Sequence, residues 1–258
     1  MTLKFWARSF LVLTLFGAAT SVFATEITSP AKQAHVTDFA TGKVLFSKDA
    51  NAPMKPASMA KIMTIFVAFQ RIADGQLGMD DKFIVSEKAW KKGGSRTFLE
   101  VGKTVSVREL LYGIIVQSGN DAAIVLAEGI SGTENAFADE MNFWAKKIGM
   151  KNTNFQNSTG WPDPDQTTTA ADLNIMTSEL IRRFPANKYP NLYPIFAERE
   201  YTYNKISQPN RNPLIYGSAG ADGLKTGYTK ESGYGLVGSA ERDGQRVIMV
   251  LNGMTSMK

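Results

Sequence analysis

A chain of 258 residues, 43% hydrophobic and 21% charged, is long enough to bury a substantial core in one large domain, and its composition is neither that of a disordered chain nor that of a membrane-embedded one. The net charge of +5 falls to about +3 when Lys4 and Arg8 of an N-terminal leader are set aside, and with no block of five like charges it gives no support to a nucleic-acid partner. Cysteine is absent, which excludes disulfides, thiolate nucleophiles and cysteine-ligated zinc, and the single histidine, His35, removes almost every histidine-dependent mechanism.

Lys4 and Arg8 precede an apolar run from Phe10 to Ala19 and a small-residue end at Val22-Phe23-Ala24. That is a secretory signal pattern, too short to span a membrane comfortably. We expect residues 1–24 to be a signal peptide and 25–258 to form the domain, with an uncleaved anchor as the alternative. Next, Ala34 to Ala40 and Lys43 to Ser47 flank Thr41-Gly42 as a hairpin, with His35 a half-buried strand residue. From Ser58 to Asp74, Ile62, Ile65, Phe66 and Phe69 recur at three- and four-residue spacing, which predicts an amphipathic helix ending at Gly75. Ser106 with Glu109 is a capping-box pattern, and a second helix from Asp121 to Glu128 follows the break at Ser118-Gly119-Asn120. Thr133-Glu134 opens a helix through Lys147, and Thr169 with Asp172 caps one running to about Arg183, so residues 106–183 read as mostly helical. Beyond Pro194 four strands are predicted, Phe196 to Tyr203, Gly223 to Tyr228, Tyr234 to Ala240 and Arg246 to Leu251. The order sheet, helices, sheet predicts an α+β domain whose N- and C-terminal strands share one antiparallel sheet around an inserted helical region.

With histidine out of reach, a serine nucleophile needs lysine or a carboxylate as its base. Ser58 and Lys61 lie three residues apart at a helix start, where such side chains share a face and touch. Ser29 and Lys32 have the same spacing, but they lead into a strand, where residues three apart face opposite sides, and are read as loop. Ser118-Gly119-Asn120 places a hydroxyl and an amide on a break between two apolar helices; alone it would be a plain helix connection. Lys225-Thr226-Gly227 sits on a predicted strand, where the ammonium can stabilise negative charge and Gly227 lets a peptide backbone approach closely. The bland alternative is a solvated strand end.

These three elements, in this order, are shared by penicillin-binding proteins and class A β-lactamases. Together with Pro56-Ala57, the segment from Gly160 to Gln166 and Asp222-Gly223-Leu224, they make the chain resemble the low-molecular-mass D-alanyl-D-alanine carboxypeptidases, the S11 serine peptidases, over Ala34 to Met254. The resemblance implies a β-lactamase/transpeptidase-like fold and removal of the terminal D-alanine from peptidoglycan pentapeptides. It implies that Ser58 forms the acyl-enzyme, Lys61 takes its proton and Ser118 relays a proton to the leaving amine. Asn120 would orient Lys61 and the substrate amide, Lys225 would supply positive potential, Thr226 would bond the terminal carboxylate, and the amides of Ser58 and Tyr228 would form the oxyanion hole. Gly227 and Tyr228 complete the substrate-binding set. No metal or organic cofactor is implied. The expected partners are a stem peptide ending in D-Ala-D-Ala and β-lactams as covalent inhibitors, and the expected location is the periplasm or cell envelope. Two departures stand out: many relatives carry histidine where this chain has Tyr228, and relatives usually continue into a closing helix, a β-rich domain and often a membrane anchor, so a fragment is expected. A β-lactamase and an inactive wall-binding module remain as alternatives.

Overall fold

A computed structural model describes residues 27–256, so the leader expected over residues 1–24 lies outside them. In chain order the elements are β1 (Gln33–Asp38), β2 (Val44–Lys48), a 3₁₀ turn (Ala57–Ala60) running into α1 (Lys61–Ala73), β3 (Lys82–Ile84), α2 (Glu87–Lys91), β4 (Thr104–Ser106), α3 (Val107–Ile115), α4 (Asn120–Ser131), α5 (Glu134–Ile148) and α6 (Ala170–Arg183). After a second 3₁₀ turn (Tyr193–Ala197) come β5 (Glu200–Tyr203), β6 (Ile206–Pro209), α7 (Leu214–Gly217), β7 (Ala221–Thr229), β8 (Gly233–Arg242) and β9 (Gln245–Met254).

The main sheet has five antiparallel strands in the order β2-β1-β9-β8-β7, so the N-terminal hairpin joins the C-terminal strands where β1 meets β9, His35 opposite Val250. β8 is buried on both faces from Gly235 to Ser239. Glycines let both covering layers approach: a Cβ on Gly235 would lie 2.5 Å from Met59, and one on Gly238 would lie 2.5 Å from Leu214.

The predicted stripe of Ile62, Ile65, Phe66 and Phe69 is buried, but α1 is not amphipathic along that length: every residue from Lys61 to Phe69 is buried. The helical region packs on the side that a surface helix would show to water, so α1 is a core helix. Phe66 meets Trp144 and Phe184 edge to face, and Phe69 meets Phe184 and Phe196 in the same way, at centroid distances of 5.5–6.3 Å. This packing anchors the helix that begins at Lys61 and follows directly on the turn that carries Ser58.

The local caps form as their sequences dictate. Ser106 Oγ accepts from Glu109 N–H while Glu109 accepts from Ser106 N–H, and Thr133 and Thr169 each accept from the amide three residues on. Asp172 stands at the third helical position, but its carboxylate reaches outward to Asn152 N–H and Thr153 O–H, at 2.8 and 2.7 Å. The strand predicted from Phe196 begins only at Glu200, because Pro194 presets helical backbone and Phe196 is buried against α1 as part of a 3₁₀ turn. Among the described residues no helix is long and apolar enough to cross a membrane.

Candidate active site

Ser58 lies on the 3₁₀ turn, behind Ala57, whose φ of +47° is one that L-residues rarely adopt. Such strain persists only where neighbours hold it, and Gly160 does so: a Cβ there would fall 1.7 Å from Ala57 O. One turn on, Lys61 is wholly buried and its Nζ lies 3.0 Å from Ser58 Oγ, 2.7 Å from Asn120 Oδ1 and 2.6 Å from Thr159 O. Burial, then the positive charges of Lys225 and Arg211, hold the amine well below the usual lysine range, opposed by the charge of Asp121. A neutral amine has two N–H groups and one lone pair. Asn120 Oδ1 and Thr159 O are pure acceptors and take the two hydrogens, which leaves the lone pair for the Ser58 hydroxyl to donate to.

Ser118-Gly119-Asn120 joins α3 to α4, and Ser118 is held at φ +59° with only 2% of its surface exposed. Only glycine fits at the centre of this motif, since a Cβ on Gly119 would lie 2.1 Å from Thr97 Oγ1. Asn120 is committed on both ends of its amide, Oδ1 to Lys61 and Nδ2 to Gly93 O at 2.8 Å, and Asn120 N–H donates to Ser95 O. It therefore ties the lysine to the loop of residues 93–99. Asp121, also buried, accepts from the amides of Thr97 and Leu99 and fixes the same loop from α4.

Lys225 lies on β7, the edge strand, and is 2% exposed. Burial first, and then Arg211, lower its pKa to about 7. Gly227 both borders the cleft and packs against the nucleophile turn. Its missing side chain faces the nucleophile turn, where a Cβ would meet Met59 and Pro56 O at 3.1 Å, so glycine lets β7 close against Ser58. Tyr228 is 56% exposed and its ring lies 4.4 Å from that of Tyr234.

A cleft of about 580 Å³ is bordered by Ser58, Gly94, Ser95, Ser118, Arg211, Thr226, Gly227, Tyr228 and Tyr234. Of the residues singled out in the sequence, Ser58, Ser118, Thr226, Gly227 and Tyr228 border it, while Lys61, Asn120 and Lys225 stand buried behind it. Ser29 and Lys32 are not part of it; Ser29 Oγ accepts from Ala31 N–H in a non-helical segment. Sequence reasoning missed Arg211, which donates to Ser95 Oγ, and the Thr159 carbonyl. Arg211 lies in the irregular stretch Asn210 to Pro213, which carries no periodic signal, and a backbone oxygen has no residue-type signature at all. Among the described residues no cluster of three or more His, Cys, Asp or Glu is arranged to hold a metal.

A family model described as D-alanyl-D-alanine carboxypeptidase matches residues 19–255. The D-alanyl-D-alanine carboxypeptidase DacF of Bacillus subtilis (strain 168) is 41% identical over 233 residues, covering 90% of this chain and 60% of the relative, so this chain spans about three fifths of that relative's length. Penicillin binding protein 5 from Haemophilus influenzae superposes with a TM-score of 0.85 at 36% identity, covering 91% of this chain and 68% of that one. Penicillin-binding protein D2 from Listeria monocytogenes, solved in an ampicillin-bound form, gives 0.79 at 30% identity, covering 90% and 93%. The α+β architecture is thus the transpeptidase-like fold of penicillin-binding proteins. Because the family match runs unbroken through all three motif-bearing segments that meet at the cleft, the chain belongs to the D-alanyl-D-alanine carboxypeptidase family.

Proposed function

We propose that this chain is a serine-type D-Ala-D-Ala carboxypeptidase of the cell envelope, which removes the terminal D-alanine of peptidoglycan pentapeptides and is acylated by β-lactams. The observation that carries this reading is the buried Lys61 amine, 3.0 Å from Ser58 Oγ with two acceptors on its other side. Ser58 Oγ attacks the carbonyl of the penultimate D-alanine as its proton passes to Lys61. The developing oxyanion is received by the backbone amides of Ser58 and Tyr228, each such donor being worth about 3–4 kcal/mol in a water-poor site. Ser118, on the cleft wall, relays that proton from Lys61 to the departing amine, D-alanine leaves, and Lys61 is neutral again. Water then attacks the Ser58 ester as its proton passes to Lys61, and Lys61 returns that proton to Ser58 Oγ as the ester bond breaks, which restores both the hydroxyl and the neutral amine. Thr226, Lys225 and Arg211 bind the substrate's terminal carboxylate, a role that fits the two positive charges placed at and behind the cleft wall. In a β-lactam the amine stays tethered after ring opening, so it blocks the incoming water and the ester persists.

The β-lactamase alternative needs a carboxylate free to activate that water. Asp172, the capping carboxylate in the first turn of α6, is engaged with Asn152 and Thr153 and is 3% exposed, which weighs against its filling that role. Fluorescent penicillin and a pentapeptide ending in D-Ala-D-Ala test the proposal together. The native chain should take covalent label and release D-alanine, and Ser58→Ala should do neither. Label on the Ser58→Ala variant, or a native chain that takes none, would overturn the nucleophile assignment; fast hydrolysis of penicillin without D-alanine release would favour the β-lactamase.

A further inference from the structure

Lys61 depends on a carbonyl that belongs to a loop, and a loop carbonyl keeps its place only if the loop is held. Glu134, the first residue of α5 and 7% exposed, accepts at Oε1 from both the N–H and the O–H of Ser158, at 3.2 and 2.7 Å. The Ser158 carbonyl is held from the other side by the Thr64 hydroxyl, at 2.7 Å, and Thr64 lies one turn beyond Lys61 on the same face of α1. Asn157 Oδ1 gathers the N–H and O–H of Thr159 and the N–H of Trp161 within 3.2 Å. Ser158 is therefore clamped between α5 and α1, and the next carbonyl along, Thr159 O, lands 2.6 Å from Lys61 Nζ.

We propose that Glu134 is a positioning residue for Lys61, acting through Ser158 to fix the Thr159 carbonyl that turns the lysine lone pair toward Ser58. The inference rests on the acyl-transfer reading above. If Thr159 O withdraws, the buried amine keeps one strong acceptor, Asn120 Oδ1, and is free to rotate an N–H toward Ser58 Oγ. The hydroxyl then accepts a hydrogen bond where catalysis requires it to donate one. Glu134 supplies position and not potential. The charges acting on Lys61 are those of Lys225 on β7, Arg211 before α7, Lys92 after α2 and Asp121 on α4, whereas the charge of Glu134 acts on Lys92 and is paired with Lys88 at 2.7 Å.

Glu134→Gln keeps an oxygen for Ser158 and removes the charge; Glu134→Ala removes both. The time course of fluorescent-penicillin acylation, resolved into a binding constant and an acylation rate constant across pH and normalised to the folded fraction by circular dichroism, separates them. Glu134→Ala should lower the acylation rate constant on the order of a hundredfold, the scale of a misplacement of about 1 Å, and leave the binding constant within about threefold of native. Its acid limb should move to higher pH, because water admitted around Lys61 weakens the burial that most depresses it. Glu134→Gln should stay within about threefold of the native rate constant. If Glu134→Ala does not fold, Ser158→Ala, which loses only the hydroxyl bond, should slow acylation on the order of tenfold. The inference is overturned if the folded alanine variant acylates at the native rate, if glutamine and alanine lose equally, if the loss falls on the binding constant, or if the acid limb stays in place. A native chain that takes no label at Ser58 overturns the acyl-transfer reading itself, whereas a labelled native chain with any of the preceding outcomes overturns this inference alone.

Discussion

At the residue scale, Lys61 and Lys225 do opposite work with the same functional group. Lys61 must be neutral to take the Ser58 proton, so acylation should fall as pH drops through its depressed pKa. Lys225 must be charged to attract a carboxylate, so substrate binding should weaken as pH rises through about 7. The acylation efficiency should trace a bell, and Lys225→Met should lower its height, flatten the alkaline limb and move the acid limb to higher pH, because Lys61 loses one of the charges that depress it. An unchanged alkaline limb in that variant, measured by acylation kinetics between acid and alkaline pH, would contradict the division of roles. Gly160 makes a different demand. Its φ of +76° and its 1.7 Å clearance from Ala57 O leave no room for alanine, so Gly160→Ala should cost about 3 kcal/mol or more and abolish labelling of Ser58. Chemical denaturation checks the first, and a stability within 1 kcal/mol of native, a difference of about one RT or two, would show that the loop yields without strain.

At the element scale, α1 links core to cleft: the 3₁₀ turn that runs into it carries the nucleophile, its first residue is Lys61, and Phe69 further along packs against Phe184 and Phe196. Phe69→Ala should therefore cost about 3–5 kcal/mol in urea unfolding, while the molecules that remain folded still label at Ser58. Loss of labelling at native stability would mean that the aromatic cluster tunes the site directly. The elements that could be read from the sequence are those specified by neighbouring residues. The caps at Ser106, Thr133 and Thr169 are local hydrogen bonds, and the Ser58 to Lys61 contact follows from one helical turn. What escaped reading depends on distant contacts or on segments too short to show a period. β3, α2 and β4 are three to five residues each, Phe196 is drawn into a turn by α1, and the buried all-round character of α1 reflects helices that arrive later in the chain. Gly227 is the instructive case: a glycine was legible, but the direction of its missing side chain was set by how β7 meets Pro56 and Met59.

At the scale of the whole molecule, burying two amines couples activity to folding stability. The unfolded chain binds a proton at each lysine up to about pH 10.4, whereas the native chain gives up the Lys225 proton near 7 and the Lys61 proton well below the usual range. Between about pH 7.5 and 9.5 unfolding thus takes up close to one proton at Lys225, to which the lowered pKa of Lys61 adds, and stability rises with pH, since it rises wherever the unfolded state binds more protons. Each proton is worth about 1.4 kcal/mol per pH unit, so Lys225 alone sets a slope of about 1.4 kcal/mol per unit and Lys61 steepens it. Tyr193 and Tyr201 are pushed the other way by burial and keep their protons longer in the native chain, which erodes stability only as pH reaches the ordinary tyrosine range near 10 and closes the window from above. Lys61→Met removes one of the two amines, so whatever its absolute stability, its slope should fall to the Lys225 contribution of about 1.4 kcal/mol per unit. Urea unfolding at several pH values in this window measures both slopes. A native slope near zero, or one that the substitution leaves intact, would mean that these amines stay charged in the folded chain, and a charged Lys61 has no lone pair with which to activate Ser58.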